Sequence, residues 1–201
     1  MKSPDSFTST TRQNILTSAL DLFSRNGYDA TSVAEICQTA GVSKGAFYHH
    51  FPSKLDLFLT LMTTWLAGMD GLFEVARTSA DNVPDAIHQM AVISSGIFQS
   101  IDEGFPILLE FWTQASRQPE IWKRAVAPYR RYLAFLSDLI QDGIEEGTLE
   151  GSLDPESTGR ILMALAMGLL LQASLDPDGV DWESTTISGV NMIIERIKRK
   201  V

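Results

Sequence analysis

Between Ser32 and Ser53 the sequence starts three helices and stops two of them, and this punctuation constrains the fold more tightly than any other feature. Ser32-Val33-Ala34-Glu35 is an S-x-x-E capping box, in which the serine hydroxyl and the glutamate carboxylate each accept from an otherwise unused amide at a helix start. Gly41 is a stop, because glycine adopts the left-handed backbone that ends helices. Ser43 caps a third, short helix that has to finish before Pro52, since the residue preceding proline avoids helical geometry. Ser53 caps a fourth helix, with Asp56 as its partner three residues on. The apolar face of the second helix is Val33, Ile36, Cys37 and Ala40.

Helical periodicity extends along nearly the whole chain, and no alternating β-branched run bounded by hairpin dipeptides interrupts it. Ile15, Leu16, Ala19, Leu22 and Phe23 follow one helix face, with Gly27 as its stop. The fourth helix runs through Leu57, Leu61 and Trp65, and Gly68 and Gly71 are weak points in it. Further helices are expected over 84–101, 105–117, 119–146, 155–175 and 183–199. The breaks between them are Asn82-Val83-Pro84, Gly104-Phe105-Pro106, Gly147 to Pro155 and Asp176 to Gly179. No flexible spacer occurs near residues 50–58. The expected architecture is therefore all-α in two modules, 1–54 and 55–201, sharing one rigid helix.

Composition bounds the function class. The chain has 201 residues, 44% hydrophobic and 20% charged, as in an ordinary globular protein. Cys37 is its single cysteine, so no internal disulfide can form and a reducing compartment is favoured. The start, MKSPDSFTSTT, lacks the apolar core of a signal peptide. The longest apolar run, Ile161 to Leu171, has 11 residues against the roughly 20 of a membrane span. A cytoplasmic protein with a buried helix there is the expectation, and no membrane partner. The net charge of −9 argues at face value against a nucleic-acid partner. Its distribution reverses that reading: residues 1–58 carry five basic and five acidic side chains, and residues 59–201 carry eleven and twenty.

The stretch GVSKGAFYHHFPSK, residues 41–54, contains no acid at all. Advancing about 100° per residue from Ser43 puts Phe47 and Phe51 on one side, where with Val42 they anchor the helix to the first two. The opposite arc shows Gly45 and His49, flanked by Ala46 and Tyr48, with Lys44 at the rim. Two helices joined by a short Gly-containing turn, the second polar outside, form a helix-turn-helix. Such a helix fits a major groove about 12 Å wide. Gly45 and Ala46 let the backbone approach the bases, and Gly45 costs about 1 kcal/mol of helix propensity relative to alanine. Ser32, Tyr48 and Lys54 suit phosphates, which set register, while Lys44, Ala46 and His49 suit base edges. The candidate DNA-binding set is Ser32, Ser43, Lys44, Gly45, Ala46, Tyr48, His49 and Lys54. The adjacent histidines point about 100° apart and have no cysteine or carboxylate beside them, so no metal site, cofactor or catalytic group is assigned here.

These residues carry a resemblance. TSVAEICQTAGVSKGAFYHHFPSKLDLF looks like the DNA-binding domain of the TetR family of bacterial transcriptional regulators, and RQNILTSALDLFSRNGYDAT resembles that family's first helix. The likeness covers residues 10–66 and includes Phe23, Gly27, Thr31, Ile36, Ala40, Gly41, Val42, Phe47, Tyr48, Phe51 and Lys54. It continues more weakly through EFWTQASRQPE and LIQDGIEEGTL. The resemblance implies a homodimer that reads a palindromic operator and releases it when a small molecule binds the C-terminal domain. Ala46 and Phe47 depart from the residues common at these positions, so the recognised bases are not implied.

In the second module the aromatic and methionine residues are either core or the lining of an effector pocket. The candidate ligand-binding residues are Trp65, Met69, Glu110, Phe111, Trp112, Tyr132 and Met167. Glu110, Gln114 and Arg117 lie at i, i+4, i+7, as pocket polar groups or an outward stripe. Helix 155–175 is apolar nearly all round, and the last helix offers apolar residues at heptad-like spacing. Met163, Met167, Leu170, Ile187, Val190 and Ile194 are thus the candidate dimer interface, and Lys198-Arg199-Lys200 a solvated helix end. An enzyme using Glu110 and His88 as acid and base leaves the 41–54 surface without a role. The remaining alternative is a regulator of the same fold controlled by a protein partner in place of a small molecule.

Overall fold

The structure, a computed structural model, describes residues 4–96, 109, 112–113 and 115–200, with the side chains of all of these except 4–9 and 65–69. The described residues form helices α1 (Pro4–Asn26), α2 (Val33–Ala40), α3 (Lys44–His50), α4 (Lys54–Ser79) and α5 (Val83–Ser95). After these come α6 (Pro119–Ala125), α7 (Ala127–Glu145), α8 (Pro155–Leu175) and α9 (Trp182–Ile197). The chain divides into two compact units: Met1–Leu66 with Pro106–Trp122, and Ala67–Phe105 with Lys123–Val201.

In the first unit the expected punctuation is present atom by atom. Ser32 Oγ accepts from the Glu35 amide at 3.2 Å, and the Ser32 amide donates to Glu35 Oε2 at 2.7 Å. Gly41 has φ +65° and ends α2, its amide donating to the Gln38 carbonyl while Val42 donates to that of Cys37. This is the two-bond C-terminal motif that needs a left-handed residue. Ser53 Oγ accepts from the Asp56 amide at 3.1 Å and donates to its carboxylate at 2.6 Å. The core between these helices is Ile15, Leu16, Ala19, Phe23, Ile36, Cys37, Phe47, Phe51, Leu57, Phe58 and Met62, all buried.

The second unit gathers its core from five helices. Ala76, Val83, Ala86, Ile87, Met90, Leu139, Ile140, Leu149, Leu162, Ile194 and Ile197 form one buried cluster. Along the seam between α4 and α7, Asp70 accepts from the Tyr132 hydroxyl at 2.6 Å and pairs with Arg131 at 2.8 Å. Phe73 stacks on Phe135, and Arg77 pairs with Asp142. Residues 70, 73 and 77 recur at the three- and four-residue spacing that lines one helix face. Gly159 of α8 lets the helix approach α7, because a Cβ there would lie 3.2 Å from the Ser137 nitrogen.

Three expectations change. The helix expected over 119–146 is two, α6 and α7, separated at Val126. Pro128 has no N–H to donate back to Arg124, so the helical ladder cannot pass unbroken through this point. The last helix stops at Ile197 rather than 199, and the chain beyond it pairs with residues 148–150. Glu150 donates to the Ile197 carbonyl, Arg199 donates to that of Thr148, and Leu149 and Lys198 form an antiparallel bridge. The basic end is therefore tied down by main-chain bonds. Helix α4 is unbroken through Gly68 and Gly71. The expected helix 84–101 begins at Val83 and is described only to Ser95. Most of 105–117 lies outside the described residues.

Burial, then the carboxylates of Asp29 and Asp56, push the Tyr28 phenol from 10.0 up to about 12. The unfolded chain ionises near 10 and the folded one does not, so stability is intact below pH 10 and declines as pH rises from 10 toward 12. Tyr132, shifted upward by burial and by its bond to Asp70, adds to the same decline. Tyr28→Phe is expected to remove part of this alkaline loss while leaving stability at pH 7 within about 1 kcal/mol. Thermal midpoints measured across pH 8–12 check it.

Candidate nucleic-acid interface

Helix α3 owes its orientation to two rings. Phe47 is fully buried and Phe51 is 2% exposed, with centroids 6.0 Å apart. Each buried phenylalanine contributes about 1.5–3 kcal/mol, so turning this side outward is strongly disfavoured. The opposite side has to face solvent. Lys44, Gly45, Tyr48 and His49 are exposed there, with Ala46 and His50 half-buried at the margins. Tyr48 is 53% exposed, and its ring meets Phe47 edge-on at 5.3 Å, which steadies a large side chain on an otherwise open surface. Ser43 caps the helix, accepting from the Ala46 amide at 3.1 Å.

Gly45 is informative because nothing inside the protein requires it. Its backbone is helical, and a Cβ built on it would meet only Ser43 Oγ, at 3.7 Å, an ordinary contact. A glycine at an exposed helix position that lowers stability without relieving any crowding points to something that approaches from outside.

The surface around α3 is electrostatically uneven. Arg12 of α1 lies over the Phe51 ring, its guanidinium carbon 5.3 Å from the centroid. Burial, then His49 and Arg12, lower the His50 pKa and favour its neutral form. Ser32 is exposed, but its hydroxyl and amide are already engaged by Glu35. Those two bonds hold the Glu35 carboxyl below its usual range and put a negative charge at the start of α2. The Lys54 ammonium donates to the main-chain carbonyls of Tyr28, Asp29 and Thr31. The structure thus brings Lys44, Gly45, Ala46, Tyr48 and His49 onto one helix face, and gives Ser32 and Lys54 intramolecular partners.

The sequence model described as bacterial regulatory proteins, tetR family, matches residues 15–61. A second, described as BetI-type transcriptional repressor, C-terminal, matches residues 105–186. Together they cover more than half of the chain. The chain belongs to the TetR family. It is a DNA-binding transcriptional regulator and not an enzyme. It is 24% identical over 187 residues to the HTH-type transcriptional regulator UidR of Escherichia coli, covering 92% of this chain and 91% of that one. A TetR-family regulator from Agrobacterium tumefaciens shares the fold with a TM-score of 0.75 at 22% identity, over 96% of this chain and 100% of that one. So does FadR from Bacillus subtilis, solved in complex with stearoyl-CoA, with a TM-score of 0.78 at 19% identity, over 92% and 98%.

In this TetR-family chain the residues expected to bind an effector are only partly visible. Glu110, Phe111 and Gln114 lie outside the described residues, as do the side chains of Trp65 and Met69. Trp112 and Met167 are half-buried, and the Tyr132 hydroxyl is engaged by Asp70. Of the expected dimer residues, Ile194 is 6% exposed and belongs to the chain's own core, so it is not available to a partner. Met163, Met167, Leu170, Ile187 and Val190 are half-buried. The apolar residues that α8 and α9 do expose are others: Ile161, Leu171, Leu175 and Met192, at 57%, 41%, 77% and 70%. Their signal was present as the spacing 161, 164, 168, 171, 175. It was masked because α8 is apolar on every side. Met192 also borders an open groove along α9 lined by Ser184, Ile187, Ser188, Asn191 and Glu195.

Gly45→Ala is expected to raise stability by about 1 kcal/mol through helix propensity and to weaken binding to duplex DNA. Chemical denaturation and fluorescence anisotropy on the same samples check the two effects. Tighter or unchanged DNA binding would remove the reason given for the glycine.

Proposed function

We propose that this regulator is a homodimeric repressor that reads a palindromic operator with α3 and is released from it by a small apolar or amphipathic molecule. The observation that carries the DNA-reading part is the exposed, acid-free face of α3 with an unforced glycine at its centre. On this face Lys44, Ala46 and His49 take the base edges, and Gly45 allows close approach. Tyr48 and the capped end at Ser43 take phosphates, whereas the Ser32 hydroxyl and amide are already committed to Glu35. A cytoplasmic location accords with that role.

Dimerisation through α8 and α9 is supported by exposed apolar surface. Helix α8 is long and strongly apolar, yet only 28% of its apolar stretch is buried. By length and composition alone such a helix could cross a membrane. Here one face packs on α7 and another on α9, where Gly189 would bring a Cβ within 3.3 Å of Leu165. A second copy covering the stripe Ile161, Ala164, Gly168, Leu171 and Leu175 with Met192 gives four helices at the interface. Reading a palindrome then requires the paired α3 helices to match half-sites about 34–36 Å apart. An effector acts by favouring a state whose α3 spacing no longer matches, and it shifts the equilibrium only by its differential affinity for the two states. Repression is supported by the description of the C-terminal match, and an amphipathic effector by the stearoyl-CoA complex of the structurally similar FadR. Control by a protein partner is the alternative. A thermal-shift series of acyl compounds separates the two, since only a binding compound raises the midpoint.

Lys44→Ala and His49→Ala are each expected to change which base substitutions are tolerated, by about 1–3 kcal/mol at one or two positions. Tyr48→Ala should weaken all duplexes alike. Binding to a set of single-substitution duplexes distinguishes these patterns. Leu171→Glu combined with Met192→Glu should give a folded monomer in sedimentation velocity; a dimer retained by that variant would place the interface elsewhere.

A further inference from the structure

Lys54 opens α4, a position where a cation is disfavoured, because the first amides of a helix carry the positive end of its dipole. Its ammonium turns back onto the connection between α1 and α2. It donates to the carbonyls of Tyr28 at 2.7 Å, Thr31 at 2.8 Å and Asp29 at 3.3 Å. An ammonium has three N–H donors, and three main-chain carbonyls converge on this one. The same nitrogen lies 4.3 Å from the centroid of the Tyr28 ring.

One turn further along α4, buried Phe58 meets Tyr28 edge-on at 5.1 Å and Phe23 at 5.9 Å, while Tyr28 and Phe23 are 5.4 Å apart. Lys54 and Phe58, at i and i+4, therefore grip the α1–α2 connection from one face of α4. Within that connection, Thr31 Oγ1 donates to the carbonyls of Gly27 and Leu22, and its side chain is almost fully buried. Helix α2 starts at Val33, two residues after Thr31, whose carbonyl is the last that Lys54 holds. The left-handed Gly41 and the Ser43 cap then lead from α2 to α3. The grip thus ties the start of α4 to the chain that leads into α2, and α2 in turn packs with α3, all of it within the first unit.

We infer that Lys54 serves DNA binding as a positioning residue, latching the α1–α2 connection to the start of α4 through three carbonyls, and makes no phosphate contact of its own. This replaces the phosphate role expected from its charge and its place at a helix start. To reach a phosphate the ammonium would have to leave three acceptors in a partly enclosed site, and hydrogen bonds from a charged donor are among the stronger ones. The inference rests on the reading of α3 as the DNA-binding face.

The test compares full-length wild type with Lys54→Met and Lys54→Arg on one mixed-sequence duplex over a salt series, with circular dichroism confirming that each is folded at the assay temperature. A latch predicts that Lys54→Met loses about tenfold in affinity with the slope of log Kobs against log salt unchanged. It also predicts that Lys54→Arg is as weak, because a planar guanidinium does not reproduce the compact three-donor head. Lys54→Gln carries the same comparison should Lys54→Met not fold. The latch is overturned if Lys54→Arg binds like wild type while Lys54→Met flattens the slope by about one, the mark of a lost phosphate contact. It is equally overturned if the folded variants bind like wild type and only their thermal midpoints fall, the mark of a purely stabilising role. Failure of the wild type to bind any duplex would overturn the reading of α3 itself, and this inference with it.

Discussion

Phe47 lies in a helix of seven residues and Phe51, four residues on, is the extended residue that caps its end, and both are withdrawn from water. So short a helix has little stability of its own, since isolated helices below about 12–15 residues are marginal in water. Its existence and its direction both derive from the burial of these rings against α1 and α2. Truncating one of them to alanine would cost about 3–5 kcal/mol, a large share of the 5–15 kcal/mol that holds a typical domain together. Everything offered to DNA follows from that constraint. Once the two rings face inward, Lys44, Gly45, Tyr48 and His49 have nowhere to point but outward.

Much of this was legible in the sequence because the signals are local. A capping box, a left-handed glycine and a serine before a short helix act over three or four residues, and all of them are found in place. The split of α3 into a packed and an open face needed only the 100° advance per residue. Lys54 was not legible. Its charge and position suggested an anion, but the carbonyls it holds belong to an irregular connection distant in sequence, and no pattern of residue types announces a main-chain acceptor. The break at Val126 illustrates a different failure: apolar periodicity continues across it, and Pro128 alone carries the information that the ladder does not.

The second unit was legible as helices and less so as surfaces. On α8 nearly every position is apolar, so periodicity could not say which side packs on α7. The close approach at Gly159 settles that, leaving Ile161, Leu171 and Leu175 outside. On α9 the heptad-like spacing was real, but Ile194 points into the chain's own core, while Met192, two residues earlier, is the one exposed. Small residues act in the same way elsewhere in this unit. Gly143 leaves room for Leu149 and Val83, whose side-chain carbons would lie 2.6 and 2.9 Å from a Cβ there. The segment that closes the core thereby reaches the pairing that ties down the end of α9.

The account stands on α3 being a DNA-reading face presented twice by a symmetric pair. Selection of bound sequences from a random duplex pool tests this most directly. The account predicts enrichment of an inverted repeat whose half-sites are centred about one helical turn apart or a multiple of it. Enrichment of a single unrepeated motif, or no enrichment over the starting pool, would contradict it.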